Sequence, residues 1–470
     1  MIKTQYLNII LAINLTLLSI IVMQVLFLNP SYSEPIIFDR NLKAELVASD
    51  LDHPTSMAFI GENDILVLEK NNGKVQRIIN GEKQETPILD VNVANEYERG
   101  LLGIATYPEN IIDKTHDDQQ KFVFLFYTES KNDGNDKCYS ATVCDDDTKP
   151  YGNRLYRYEL DNDKLINPKL LLDLPAVRGA DHISGPIAIG PDNNIYVMSG
   201  DGDSCWANDC WDQCWGSVCE EDFEDSTVNS ITSNNKDGKP ADGRGGILRL
   251  TMDGWSVPGG ILGTEVPLNL YYAYGFRNGF GMDFDPITGN LWITENGPGF
   301  GDEINLVEPG FNSGWMKVQG IWPVDVSNSN PLPLIGRGYF GNEEFSDFDN
   351  LVNLNNNGKY SEPEFIWNSS VGVTALKFFD SKKMGNEYLN DLFVADYNNN
   401  YIYNFNLNST RTGLELKDSL TDKIANTNEE LHSVVFGKDF GVITDMDIGS
   451  DGYLYLLSHT EGKIYRIIPK

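Results

Sequence analysis

The chain has 470 residues, too many for one small core but within reach of a single large repeat architecture. Its formal charge of −33 at pH 7 excludes nucleic acid and anionic membrane surfaces as partners, because both would repel it. Forty-three glycines, Asn-rich turns and the lack of long helical periodicity point to an all-β chain.

At the N-terminus, Lys3 precedes an apolar run from Ile9 to Leu28, interrupted only by Asn14, Thr16, Ser19 and Gln24. Ser31-Tyr32-Ser33 follows as a small-x-small pattern suited to cleavage before Glu34. The run is ~20 residues, near the length that spans a bilayer. Residues 1–33 therefore read as a hydrophobic targeting helix, either a cleaved signal or a retained membrane anchor. In both cases the body, 34–470, is expected to be extracytoplasmic.

The body repeats a degenerate unit: an Asp/Gly/Asn turn, an apolar strand of period-2 patterning, a polar turn, and a second strand ending near Arg. Asn63–Ile78 is one copy, Asn390–Phe405 another and Ser450–Ile467 a third. Looser copies cover Lys121–Leu160, Asn193–Leu250 and Tyr272–Ile293. Six such units predict a six-bladed β-propeller with long inter-strand insertions. Radial closure removes the long open sheet edges that make all-β chains aggregate. The strand near Leu42–Val47 is expected to complete the last blade.

Six cysteines sit in two places. Cys138 and Cys144 bracket one loop, and Cys205, Cys210, Cys214 and Cys219 crowd another. An even count in an exported chain predicts disulfides, and the four-cysteine cluster leaves three pairings open. Its spacing is not that of a zinc knuckle. That cluster lies in an insert, 203–242, with three tryptophans and the acidic run Glu220–Asp225. The insert is either a wall over the neighbouring site or a self-stapled surface loop. A second Asn-rich connection runs from Gln319 to Glu364, and Asn368-Ser-Ser and Asn408-Ser-Thr match the glycosylation sequon.

Of five histidines, His182 has surroundings suited to chemistry. It sits in Asp181-His182-Ile183-Ser184-Gly185, ahead of a short strand, a Gly-Pro-Asp-Asn-Asn turn and a second strand that ends on Ser199-Gly200-Asp201. A hairpin of this shape can return Asp201 to His182. An imidazole oriented by a buried carboxylate is a general base near neutral pH.

This segment resembles the active-site region of the soluble, pyrroloquinoline-quinone (PQQ)-dependent glucose/sorbosone dehydrogenases. Three further segments match in the same order: Glu98-Arg-Gly-Leu-Leu-Gly103, Gly275-Phe-Arg-Asn278, and Glu295-Asn-Gly-Pro298 with Asp302-Glu-Ile-Asn305 and Gly314-Trp315. The resemblance implies oxidation of a sugar hydroxyl, with hydride passing to the quinone and on to an external electron acceptor. His182 is then the base, Asp201 its orienting acid, and Arg277 the stabiliser of charge on the quinone. Asp181 and Glu98 would contact the sugar, with Glu98 standing where the family has glutamine. Arg277, Asn278 and Asn296 would hold the cofactor. The carbonyls of Gly297 and Pro298 would ligate a Ca²⁺ that polarises it, and Glu303 would lend a backbone oxygen to a structural Ca²⁺.

One departure stands out. The family clamps the quinone's three carboxylates with a lysine and two arginines from its last two blades. Here those places read Asp396-Tyr-Asn-Asn-Asn400 and Val442-Ile-Thr-Asp445. Lys377, Lys382, Lys383 and Lys438 are the candidate substitutes. Two other readings keep the scaffold without the redox role: a carbohydrate- or protein-binding propeller, and a Ca²⁺-dependent lactonase or hydrolase in which His182 activates water.

Overall fold

The computed structural model describes residues 34–107, 121–131, 150–176, 180–202, 230–325, 332–333 and 351–470. The targeting segment, all six cysteines and residues 203–229 of the insert lie outside the described residues. The chain divides into two compact units, Met1–Pro35 and Ile36–Lys470. Among its described residues, the second unit is built of β-strands joined by turns and short 3-10 helices. No described helix is long and apolar enough to cross a membrane.

The strands form an all-β propeller. The innermost strand of each sheet is Pro54–Gly61, Leu101–Tyr107, Ser184–Ile189, Gly281–Phe284, Val373–Phe379 and Ile443–Ile448 in turn. Each packs against the next, and the last packs back on the first, so the ring closes around a central channel. From each inner strand the chain meanders outward by antiparallel pairing, as in Leu101–Tyr107, Phe122–Glu129, Gly152–Asp161 and Lys164–Leu174. Leu42–Ala48 pairs antiparallel with Lys463–Pro469, Ala44 opposite Ile467, so the N-terminal strand and the C-terminal strand share one sheet.

Two physical features explain why these sequences make this shape. Second strands such as Asp64–Glu69 and Ile195–Ser199 are buried on both faces, because a neighbouring sheet covers each side. Their apolar runs are therefore continuous rather than alternating, and the core is a set of layers between sheets. One layer holds Phe124, Phe126, Leu155, Ile183, Val197 and Leu248. The second feature is the recurring Asp and Arg of the sequence unit. Arg77 grips Asp64 through Nε (2.9 Å) and Nη2 (2.6 Å), Arg466 reaches Asp451 at 2.6 Å, and Arg411 reaches Asp285 at 2.7 Å. These forked pairs tie hairpin turns to outer strands.

One sequence unit is corrected. Tyr272–Ile293 does not form a single hairpin: Tyr271–Tyr274 pairs with Gly246–Leu250 in one sheet, whereas Gly281–Phe284 and Leu291–Glu295 pair in the next. Gly275, with φ of 80°, turns the chain out of the first sheet, and the Arg277-Asn278 segment is the crossover. That places Arg277 and Asn278 between two sheets at the channel end.

Candidate active site

The hairpin Ser184–Ile189/Ile195–Ser199 aligns Ser184 with Ser199. Beyond it the two flanks stay together: Gly200 N–H donates to the Ile183 carbonyl (3.4 Å) and Gly202 N–H to the His182 carbonyl (3.1 Å). His182 (φ 55°) and Ser184 (φ 61°) adopt left-handed backbone conformations to make this approach. Gly200 is required by it. A Cβ there would sit 2.8 Å from the Arg277 carbonyl oxygen and closer still to that of His182.

The approach brings His182 Nδ1 to 2.7 Å from Asp201 Oδ1. Asp201 is fully buried and His182 is 7% exposed. An ionised carboxylate only accepts, so Nδ1 donates, and in the neutral ring Nε2 carries the lone pair. Among the described residues, Nε2 has no hydrogen-bond partner. The other Asp201 oxygen accepts from the indole Nε1–H of Trp315 at 2.7 Å, and the Asp201 amide donates to the Arg277 carbonyl at 2.9 Å. The acid is thus fixed from three sides.

Glu98 lies beside this pair. Its carboxylate accepts from the Ile183 amide (3.1 Å) and from Asn278 Nδ2 (3.0 and 3.1 Å). Burial pushes its carboxyl up from the ordinary range, against the opposing pull of His182. Asp181 is likewise pushed up by burial, with His182, Arg277 and Arg99 pulling it down. The Asn278 amide is engaged at both ends, donating to Glu98 and accepting from Ser184 Oγ at 3.1 Å.

Arg277 Nη1 donates to the carbonyls of Asn296 (3.0 Å) and Gly297 (3.2 Å), and its guanidinium lies 5.6 Å from the Trp315 ring centre. Among the described residues, its Nε is buried without a partner, as is Asn296 Oδ1; Asn296 Nδ2 donates to the Val373 carbonyl at 3.0 Å. Behind this layer, Glu295 accepts from the Arg277 amide (2.6 Å) and Ser313 Oγ (2.5 Å), and pairs across strands with Glu303. Burial raises both carboxyls. The Glu303 carboxylate is taken by Gln319 Nε2 (2.9 Å), Asn305 Nδ2 (2.7 Å) and the Gly320 amide. Gly297 N–H donates to the buried Asp302 (2.8 Å), and Pro298 follows it in the same loop. No group of three or more His, Cys, Asp or Glu suited to hold a metal occurs among the described residues.

The channel widens to a cavity of about 1480 Å³ lined by the inner strands, with Lys70, Glu98, Ser184 and Asn296 among its walls. Glu98 and Ser184 line it, whereas His182 and Asp201 are not among its lining residues. Of the two acids expected on its far side, Asp396 and Asp445, only the second is there. Asp396 does not face the cavity: its carboxylate is turned into its own sheet, where Tyr403 Oη, the Asn399 amide (2.9 Å) and Asn399 Nδ2 (3.0 Å) satisfy it. Asp445 does line the cavity, accepts from the Met57 amide (2.7 Å) and Ser56 Oγ (2.8 Å), and is pushed up to about 7 by burial.

Of the four candidate lysines, only Lys377 reaches the channel, and it is already bound by Asp447 (3.1 Å) and Asp283 (3.6 Å). Lys438 pairs with Asp439 and Lys383 lies over Tyr453; neither they nor Lys382 line the cavity. Sequence reasoning missed three contributors. Trp315 was visible in a matching motif without a role, Ser184 was read only as part of the turn, and Lys70 carried no signal beyond its place in a repeat unit.

The fold and this cluster define a class: a propeller whose channel end holds a carboxylate-oriented imidazole, an arginine and paired amides. The family model for glucose/sorbosone dehydrogenase matches residues 51–324, more than half of the chain, and the chain belongs to that family. It is 28% identical over 287 residues to quinoprotein glucose dehydrogenase B of Acinetobacter calcoaceticus, covering 60% of this chain and 54% of the relative, so the match spans about half of that protein. It is 22% identical over 434 residues to the aldose sugar dehydrogenase YliI of Escherichia coli, covering 91% and 93%. The PQQ-bound aldose sugar dehydrogenase of Streptomyces coelicolor superimposes with a TM-score of 0.56 at 19% identity, covering 91% of this chain and 98% of that one.

Proposed function

We propose that this chain oxidises an aldose sugar or related alcohol, with His182 as the base and bound PQQ as the hydride acceptor. The observation that carries the reading is the 2.7 Å contact from His182 Nδ1 to Asp201, which leaves Nε2 as the ring nitrogen available to a substrate. A carbon bearing a hydroxyl releases hydride more readily as the O–H proton leaves, and Nε2 is the group that can take that proton. The imidazolium so formed is stabilised by Asp201, which Trp315 holds in place. Base catalysis of this kind contributes roughly 10²–10⁴-fold. Glu98 and Asp181 supply acceptors for the neighbouring sugar hydroxyls.

The residues at the reactive end fit PQQ and Ca²⁺. The Asn296 and Gly297 carbonyls converge on the Arg277 guanidinium; carbonyl oxygen is the donor type that suits Ca²⁺, which would take the Gly297 carbonyl in place of that guanidinium. Arg277 Nε and Asn296 Oδ1 are a buried donor and a buried acceptor without partners, as expected of groups that await a ligand. Arg277, Asn278 and Asn296 would hold the group, with Gly297 and Pro298 toward the metal. When bound, PQQ supplies the electrophilic carbonyl and Ca²⁺ polarises it.

At the carboxylate end the fit is thinner. None of the three cationic contacts has a free equivalent at those places, and each charge-assisted bond is worth roughly 1.5–3 kcal/mol. The deficit of about 5–9 kcal/mol corresponds to an affinity roughly 10³–10⁶-fold weaker than a full clamp gives. This thinness favours a second reading, a non-redox carbohydrate-binding or lactone-hydrolysing site in which His182 activates water.

We also read the sheets as six blades, supported by the closed ring of inner strands, and the protein as exported, supported by the N-terminal segment and the even cysteine count. The deciding experiment titrates purified protein with PQQ and Ca²⁺, records the absorption spectrum, and follows dye reduction over a sugar panel. A bound-quinone spectrum with sugar-dependent bleaching is expected. No binding at millimolar PQQ, or lactone cleavage without quinone, overturns the redox reading.

A further inference from the structure

The rim of the channel next to Glu98 carries an ammonium group that has no counter-ion among the described residues. Lys70 follows the strand Asp64–Glu69, and its backbone bridges two sheets: its N–H donates to the His53 carbonyl (3.2 Å) and its carbonyl accepts from Leu101 N–H (3.0 Å). Its stem passes over Gly100, where a Cβ would lie 2.7 Å from Lys70 Cγ and 2.5 Å from its carbonyl oxygen. A side chain at residue 100 would therefore displace the lysine.

The Nζ atom makes two long bonds to neutral acceptors, Asn71 Oδ1 (3.2 Å) and the Asn95 carbonyl (3.3 Å). Among the described residues no carboxylate is within ion-pairing distance of it. Glu98 and Glu96 act on it only through space, and burial presses its pKa down to about 8. A partly buried ammonium with neutral partners keeps one N–H to spare and gains from any anion that enters.

The other cations of the region have partners or assigned roles elsewhere. Lys377 faces two carboxylates, and Arg277 Nη1 holds two carbonyls. His459 lines the same cavity, donates Nδ1–H to the Pro54 carbonyl (3.0 Å), and is held toward its neutral form by burial and by the neighbouring charges of His53 and Lys70. Lys70 is thus the charge this rim offers to a ligand.

We propose that Lys70 is the carboxylate-binding group of the channel mouth, pairing with a carboxylate of the molecule bound there. The carboxylate has two sources compatible with this chemistry: the quinone cofactor, or an acidic sugar such as a uronate. The inference rests on the sugar-oxidation reading and deepens it, because it adds to the pocket a cation that the sequence motifs do not assign.

The test compares wild type, Lys70→Gln and Lys70→Arg by equilibrium binding in the presence of Ca²⁺. PQQ is followed by absorbance, and glucuronate and glucose are followed by calorimetry. If the cofactor is the partner, Lys70→Gln weakens PQQ binding about 10- to 100-fold, Lys70→Arg restores most of it, and neither sugar changes. If the substrate is the partner, PQQ affinity holds and the preference for glucuronate over glucose is lost by the same factor. Lys70→Met, which keeps the stem, replaces Lys70→Gln if thermal melts show that variant unfolded. Unchanged affinities for all three ligands overturn the assignment while leaving the sugar-oxidation reading intact. A wild type that binds neither PQQ nor either sugar removes both.

Discussion

Asp201→Asn probes the site most directly, because the Asp201 carboxylate serves two donors at once: His182 Nδ1–H at 2.7 Å and Trp315 Nε1–H at 2.7 Å. Asparagine offers one acceptor oxygen and one NH2. If the oxygen stays with Trp315, the NH2 points at His182, and the ring must turn Nδ1 into an acceptor. The proton then moves to Nε2, the atom that has to be bare to act as a base. If the oxygen stays with His182, the indole N–H is left facing an NH2 in a buried site, at a cost of about 1–3 kcal/mol. The first arrangement removes the base and the second removes its support and its charge stabilisation. We expect sugar-dependent dye reduction to fall in kcat by about 10²–10⁴-fold. Quinone affinity should stay within about threefold, since neither donor is a cofactor contact and 1.4 kcal/mol is a factor of ten. The assay is steady-state turnover of reconstituted protein beside a binding titration. A variant with kcat within threefold of wild type would falsify the assignment of the pair as the proton-accepting unit.

Other consequences are open to measurement. Trp315→Phe keeps the aromatic face toward Arg277 but withdraws one donor from Asp201; turnover should drop less than in Asp201→Asn, and thermal stability should fall by about 1–3 kcal/mol. Gly200→Ala drives a methyl into the carbonyls of His182 and Arg277; we expect a loss of roughly 1–3 kcal/mol in chemical denaturation together with lost activity, and a neutral result would contradict the close approach of the two flanks. Asp445 is held protonated to about pH 7, above the ordinary 3.8 of an unfolded aspartate. The folded protein keeps this proton where the unfolded chain has lost it, so its contribution to stability declines as pH rises from about 4 to about 7 and is level above that. Asp445→Asn should flatten this part of a Tm-against-pH curve; an unchanged slope counts against the buried acid.

What the sequence disclosed depended on how local the relevant contact is. The Gly190-Pro-Asp-Asn-Asn turn fixes the hairpin, and the hairpin fixes the nineteen-residue separation of His182 and Asp201, so their meeting could be read from one stretch of chain. Trp315 lies 114 residues from Asp201, and only the folded ring shows that it completes the acid's environment. The direction of a side chain on a strand is similarly hidden. Asp396 and Asp445 look equivalent as acidic residues on strands, yet one turns inward to Tyr403 and the other lines the channel. The Tyr272–Ile293 pattern has the look of a hairpin because both halves are apolar, and the Gly275 turn that sends them to different sheets is too short to break it. Lys70 illustrates the same limit: its role depends on the absence of a counter-ion, which no linear pattern records.

The pairing of Leu42–Ala48 with Lys463–Pro469 has a temporal side. Glu45 and Arg466, which salt-bridge across that sheet, are 421 residues apart in the chain. At roughly 5–20 residues per second, a ribosome makes the first partner tens of seconds before the second. Leu42–Ala48 must therefore wait, unpaired, while sheet after sheet condenses behind it, and the circle can lock only when Lys463–Pro469 arrives. Closure of the ring waits on the synthesis of Lys463–Pro469, so a chain terminated before that strand is left with an open edge that quality-control proteases can recognise.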